Sequence, residues 1–300
     1  MKRVSQRRRR AVSEGFDTDF LGGDNSVPLP NLTGETAMQA LNEGQQFPFM
    51  HFSIVMNKSR RFLIYGANNV DRNLMKEVTR GNSDWHFDLR IGQENQVGNE
   101  LYRNNNWDRG HMVRRRDVCW GSMEEAVKGN YDSFCWANIV LQNAQINQGI
   151  WNEIEEWMLN NEDNVQNKLS IFTGPIFTGN DQEYCGTGQK PGCGIKIPAG
   201  FWKAMFYADS SNTLHSAAFI VKQDEFWTDN VGSTLENLES YQVPLRTVSD
   251  LTGIEFEDRL YQTNPLFYRS SSMTIRAGIA APEFNKLRTA SDLILKRKSI

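Results

Sequence analysis

An acid, a guanidinium, a glycine and an imidazole stand in four consecutive positions, Asp108-Arg109-Gly110-His111. Histidine titrates near neutrality, so its neutral form can take a proton from water. Arginine offers a planar fork that matches phosphate oxygens. Glycine lets the backbone turn or come close to a ligand. Asp108 reads as the acid that fixes this stretch in place. Three more arginines follow, Arg114-Arg115-Arg116, and such a cluster suits a polyanionic substrate. A second polar stretch, Asn147-Gln148-Gly149, opens a run of helical periodicity. A neutral amide is a poor sole ligand for zinc but suits magnesium, which keeps most of its waters and takes few protein ligands. The chemistry indicated is hydrolysis of a phosphodiester, with His111 making a nucleophile from water and Asn147 holding a metal.

These residues need elements to hold them. His51–Asn57 and Arg61–Asn68 are β-rich runs joined by Lys58-Ser59-Arg60, the pattern of a hairpin. A long polar connection, 69–106, leads from the hairpin to Asp108, with Trp85 and Tyr102 as its aromatic anchors. Loops of that length in a compact domain are functional or disordered. Phe134–Leu141 predicts a second strand. Ile150, Trp151, Ile154, Trp157 and Met158 recur at helical spacing. They predict a helix with Asn147 as its N-cap and its end at Asn160-Asn161. Glu155 lies on that helix about 12 Å of rise beyond Asn147, which suits holding a metal-bound water better than touching the same ion. Glu153 and Glu156 read as solvent-facing. Runs at 168–175, 202–208 and 215–221 predict buried strands, and Val248–Gly253 a short helix closing on Gly253. The fold class is α+β, with a central, largely antiparallel sheet flanked by helices.

Hydrophobic residues make up 39% of the 300, enough for a full core. The expected organisation is a flexible basic and polar tail over 1–47, with a short helix near Glu35–Asn42, then one domain over 48–280. A surface helix over 281–300 would carry Lys286, Arg288, Lys296, Arg297 and Lys298. Arg7–Arg10 reads as a solvated end, a nucleic-acid arm or a protease-sensitive site. No run of about 18 apolar residues indicates a membrane span. The basic start is not followed by an apolar stretch of signal-peptide type, so the expected location is the cytoplasm of a bacterium, with export by a non-classical route as the alternative. A net charge of −3 excludes nucleic-acid binding by bulk positive charge and leaves it to local clusters. Four cysteines make no disulfide framework in a chain this long. Cys119 and Cys135 read as small core residues. Cys185 and Cys193 bracket a Gly/Pro-rich loop that a disulfide between them would close; without a nearby histidine they are a weak zinc site.

Asp108-Arg109-Gly110-His111, followed by Asn138 and by Ile146-Asn147-Gln148-Gly149, Trp151 and Glu155, resembles the sugar-non-specific DNA/RNA endonucleases, a family with a ββα-metal (His-Me finger) site. The likeness runs over about 50–260, through Tyr65–Asn68, Thr173-Gly174-Pro175, Lys196–Pro198 and Phe201-Trp202-Lys203. The resemblance implies magnesium-dependent hydrolysis of DNA and RNA, with manganese as a substitute ion. It implies His111 as general base, Asn147 as the direct metal ligand and Glu155 as the orienter of a metal-bound water. Arg109 would stabilise the pentacovalent phosphate, and Asn138 would support the site. There is one departure. Family members often carry phosphate-binding arginines upstream and past the metal helix; Leu159 stands about where the latter falls, and Arg80 and Arg90 are the upstream candidates. Arg114 and Arg115 join them as substrate-binding candidates. The competing functions are a nuclease fold that binds nucleic acid or protein without cutting, and a nuclease confined to one nucleic acid. A nuclease needs control in its own cell, so an inhibitor or an activating protease is an expected partner, alongside a homodimer.

Overall fold

The computed structural model describes residues 14–80, 84–147, 149–164, 166–184, 194–223, 236, 238–267 and 284–295. Strand β1 (Asn31–Leu32) and helix α1 (Gly34–Gln39) precede β2 (Gln46–Phe49), β3 (Phe52–Met56) and β4 (Leu63–Asp71). Next come β5 (Trp107–His111), α2 (Met123–Ser133), β6 (Ile139–Asn143), α3 (Ala144–Asn147) and α4 (Ile150–Leu159). Then follow β7 (Lys168–Ile176), β8 (Glu183–Tyr184), β9 (Ile195–Lys196), β10 (Gly200–Ala208) and β11 (Leu214–Lys222). The last are β12 (Ser240–Val243), α5 (Leu245–Thr252), β13 (Ile254–Glu255), α6 (Asp258–Gln262) and β14 (Asn285–Lys286).

The α+β expectation holds. Eight strands form one antiparallel sheet in the order β14-β12-β11-β10-β7-β4-β3-β2. The expected hairpin is β3 and β4. Both faces of the sheet are covered, so its central strands read as unbroken apolar runs. Strand β10 shows how side-chain alternation sorts the two faces. Phe201, Met205 and Tyr207 point into the core that holds α4, whereas Trp202, Ala204 and Phe206 point into the core that holds α5 and α6. Lys203 shares the parity of the first set and therefore faces α4. Helix α5 ends at Gly253, whose φ of 65° gives the left-handed cap that glycine adopts without strain.

Three expectations about the elements change. The strand predicted over Phe134–Leu141 begins only at Ile139, because Trp136–Asn138 forms a 3-10 turn. Helix α2 was not expected. Its buried face is Ala126, Gly129, Asn130, Asp132 and Ser133, so it carries no apolar stripe to betray it. Its one local signature is the capping box Ser122–Glu125. A β-carbon at Gly129 would lie 2.2 Å from the Val118 carbonyl oxygen, so only glycine lets α2 pack this closely on the arginine-bearing turn. The C-terminal surface helix is also not found. Residues 284–295 instead add β14 to the sheet edge, followed by a 3-10 turn at Ala290–Asp292. Lys296, Arg297 and Lys298 lie outside the described residues, as do Cys185 and Cys193.

The flexible-tail expectation for 1–47 is corrected over residues 14–47. Leu21 and Val27 are buried in the α5/α6 core. Glu14 bridges to Met50, and β1 pairs with β13. The Phe16 ring lies 5.0 Å from that of Phe172. Leu21 and Val27 follow neither helical nor strand periodicity, because they drop singly into the core from a chain of turns and irregular backbone. Among the described residues no helix is long and apolar enough to cross a membrane. Leu21→Ala should lower stability by roughly 2–5 kcal/mol in urea unfolding, the cost of a buried leucine cavity. A loss within about 0.5 kcal/mol, typical of surface changes, would contradict the docking of this segment.

Candidate active site

The Asp108–His111 stretch is not a loop at a strand end; it is strand β5, paired antiparallel with β6. The chain then passes through α3 into α4, so the local arrangement is ββα. Strand parity places Arg109 and His111 on one side of β5, with Gly110 between them. A β-carbon on Gly110 would sit 2.5 Å from the Gln142 β-carbon, so glycine here makes room for the Gln142 side chain. Asn138 fastens the exit of β5. Its side chain accepts from the Val113 amide at 2.8 Å and donates to the Val113 and Ser133 carbonyls at 2.9 and 3.0 Å. It is fully buried and does not line the cavity, so it positions the site without touching a substrate.

A cavity of about 440 Å³ opens over these residues. Its walls bring together His111, Arg109, Asn147, Glu155, Arg80, Arg114 and Arg115 from the sequence reading. It also holds Arg116 of the same arginine cluster, together with Gln142, Trp151 and Lys203, which the reading did not place there. Arg90 is excluded. Its guanidinium is tied to Asp88, to the Pro48 carbonyl and over the Phe49 ring, so it is a structural brace. Leu159 is 1% exposed and belongs to the core.

His111 Nε2 is buried with no hydrogen-bond partner in the protein. The ring packs against the touching pair Trp85 and Phe134, with centroids 5.8 and 5.6 Å away. Burial, reinforced by the charge of Arg80 and then Arg115, pushes its pKa down to about 3, against a backbone hydrogen bond to Arg109. That bond falls on the other ring nitrogen and leaves Nε2 without a partner in a residue that lines the cavity. Arg109 donates to Asn99 Oδ1 at 2.6 Å and lies over the Trp85 and Tyr102 rings. Its Nε, like the Gln142 Nε2, is a buried donor without a partner. Buried polar atoms are nearly always satisfied, so three orphans converging on one cavity point to a polar ligand there.

Asn147 is the last residue of α3, and Gly149 is the N-cap of α4, so the expected N-cap role is corrected. The Asn147 amide nitrogen donates to Asp108 Oδ2 at 3.0 Å. This gives Asp108 the fixing role expected of it and leaves the amide oxygen as the donor atom for a cation. Among the described residues no group of three or more His, Cys, Asp or Glu side chains could hold a metal. An amide oxygen of this kind suits a cation that is held mostly by water, as magnesium is.

Glu155, 2% exposed, is ion-paired with the buried Lys203 and lies 3.3 Å from Arg114. Burial pushes the Lys203 ammonium down to about 7, with Asp117 opposing the fall and Arg114 adding to it. Arg114 NH1 also lies 3.3 Å from Glu156 and 3.6 Å from Asp117. Glu156 is thus partnered, against the solvent-facing expectation, while Glu153 is exposed as expected. Arg115 reaches the other way, to the Val78 carbonyl at 3.1 Å and Asn130 Oδ1 at 2.9 Å. It ties the strap that carries Arg80 to α2.

Because the folded pKa of His111 lies below its ordinary 6.5, the unfolded chain binds more protons between the two values. This group's contribution to stability therefore falls as pH drops from 6.5 toward 3. In the metal-free protein the His111 ring resonances should stay those of neutral imidazole down to pH 5 or below. An NMR titration midpoint near 6.5 would contradict the burial of the base.

The profile of the DNA/RNA non-specific endonucleases matches residues 36–263. An uncharacterised protein, y4fB, of Sinorhizobium fredii is 32% identical over 290 residues, covering 88% of this chain and 42% of that protein. The mitochondrial nuclease EXOG of Mus musculus is 26% identical over 251 residues, covering 78% of this chain and 65% of its own length. The chain thus spans less than two thirds of these curated relatives. A chain in the crystal structure of the EndoG/EndoGI complex superposes with a TM-score of 0.56 at 18% identity, covering 75% of this chain and 90% of that one, a likeness of fold. With the profile extending over most of its length, this chain belongs to the DNA/RNA non-specific endonuclease family.

Proposed function

We propose that this protein is a magnesium-dependent endonuclease that hydrolyses phosphodiester bonds of both DNA and RNA, with His111 as general base. The observation that carries this reading is the bare, buried Nε2 of His111, flanked by Arg80 and Arg109 and sharing a cavity with Asn147. Neutral His111 takes a proton from a water, whose oxygen attacks phosphorus in line with the departing 3′-oxygen. The new P–O bond forms as the P–O3′ bond breaks, leaving a 5′-phosphate and a departing 3′-oxygen that takes a proton from solvent water to become the 3′-hydroxyl. The proton on His111 then passes to solvent. Arg109 and the Gln142 amide offer donors to the non-bridging oxygens, whose charge grows in the transition state. Asn147 would hold Mg²⁺, for which Mn²⁺ is a substitute, and Glu155 would orient one of its waters. When bound, the ion supplies charge neutralisation at the phosphate and the leaving oxygen. Contacts to phosphate carry no sequence information, which fits action on both nucleic acids.

The test is a digestion panel of plasmid, single-stranded DNA and RNA with Mg²⁺ or with EDTA. His111→Ala should lower cleavage by about 10²–10⁴-fold, the usual worth of a general base, while oligonucleotide binding persists. Asn147→Ala should shift the magnesium titration to higher concentration. Near wild-type cutting by His111→Ala would remove it as the base, and an unchanged titration would remove Asn147 as the ligand. Binding without any EDTA-sensitive cutting would instead favour a non-catalytic module. Cutting of one polymer alone would narrow the substrate.

A further inference from the structure

The three consecutive arginines after β5 have been sorted by the fold into three different situations. Arg114, with a side chain 21% exposed, is held among Asp117, Glu155 and Glu156. Arg115 is spent on Val78 and Asn130. Arg116 lines the same cavity with 51% of its side chain exposed, and the carboxylate it meets is Glu156, at 3.0 Å. Glu156 Oε1 accepts from both Arg114 and Arg116. Its side chain is 29% exposed, so this corner is open to solvent, unlike the Glu155–Lys203 pair beneath it. One carboxylate oxygen between two guanidinium groups at the rim of a cationic cavity is what a phosphate oxygen would be in the same place.

We propose that Arg116 is a further phosphate-binding residue of this site, and that Glu156 is a built-in competitor that holds it until a nucleic-acid phosphate takes its place. This rests on the nuclease reading. Arg116 grips a phosphate flanking the scissile one, since His111 and Arg109 stand on β5 and Arg116 on the turn that follows it. The exchange is balanced in charge: one anionic oxygen leaves the Arg116 fork and another enters. An exposed arginine–carboxylate pair is weak, so phosphate displaces it readily, but the resting protein still gives up part of its affinity to it. Glu156 thereby makes binding at this corner less tight and less salt-dependent than the arginine count suggests.

The experiment is fluorescence anisotropy of a short labelled DNA duplex in EDTA, using the full chain, across a range of salt. Glu156→Gln keeps the side-chain shape and removes the competing charge. It should tighten binding by about two- to fivefold, the range of an exposed ion pair. Arg116→Gln should weaken binding and lower the salt slope by about one, the value for one lost phosphate contact. In the Glu156→Gln/Arg116→Gln double variant the gain should vanish, since Arg114 is still held by Asp117 and Glu155 and Arg116 is the arginine that Glu156 releases. Thermal midpoints check that all forms are folded, and Glu156→Ser is the second variant if the glutamine form is not. An unchanged affinity for Glu156→Gln, a gain that survives in the double variant, or no DNA binding by any form overturns the proposal. Magnesium-dependent plasmid nicking by the wild type is measured alongside. Tighter binding by Glu156→Gln without any nicking rejects the nuclease reading and leaves the phosphate clamp, whereas nicking with unchanged affinities rejects the clamp alone.

Discussion

The buried ion pair between Lys203 and Glu155 joins the middle of the main sheet to the helix of the site. Lys203 sits on β10 and is 3% exposed; Glu155 sits on α4 and is 2% exposed. Two charges taken this far from water cost several kcal/mol unless each finds a partner. Here the partners are each other, with Arg114 on the remaining carboxylate oxygen and the Trp151 ring 5.2 Å from the ammonium. Removing one member of such a pair costs about 3–5 kcal/mol, because the other is left uncompensated. The pair therefore fixes the depth and rotation of α4 against the sheet. The position of Asn147, just before that helix, follows from it.

From this pair the charge network runs outward and loosens as it meets solvent. Glu155 and Lys203 are closed off, Arg114 is shared among three acids, and Glu156 with Arg116 stands at the rim. The residues on β5 and β6 behave differently. There His111, Arg109 and Gln142 each keep a buried polar atom without a partner in the protein. The first group is tied up in ion pairs and holds shape; the second keeps polar atoms that the protein itself does not satisfy. The pKa of His111 belongs to the second kind, since burial and neighbouring arginines both favour the neutral ring.

The legible parts of the sequence were those with local signals. The β3–β4 hairpin, the later strands and the α4 stripe follow from residue periodicity, which depends on near neighbours alone. The Asp108–His111 stretch announced itself by density of polar groups. Helix α2 was missed because its buried face is small and polar, leaving only the Ser122–Glu125 box as a clue. The docking of Leu21 and Val27 was missed because a run of turns that inserts single side chains has no period to detect. Gln142, just past the predicted strand, carries no signal in the sequence; its place depends on Gly110 across the β5–β6 pair making space for it.

By itself the sequence determined the chemistry available: an imidazole, a forked cation, an amide and a carboxylate, the last two at the start of and along a predicted helix. Those are properties of residue type and of the 2.0 and 3.6 periods, which chain connectivity sets. Only the tertiary structure decided which of the similar groups reach the site. Arg90 and Arg116 differ little as sequence, yet one braces Phe49 and the other lines the cavity. Lys203 came to Glu155 from 48 positions away. The physical reason is that charge and hydrogen-bond satisfaction are settled between elements distant in the chain. Their partners exist only once the sheet has brought β10, α4 and the arginine turn together.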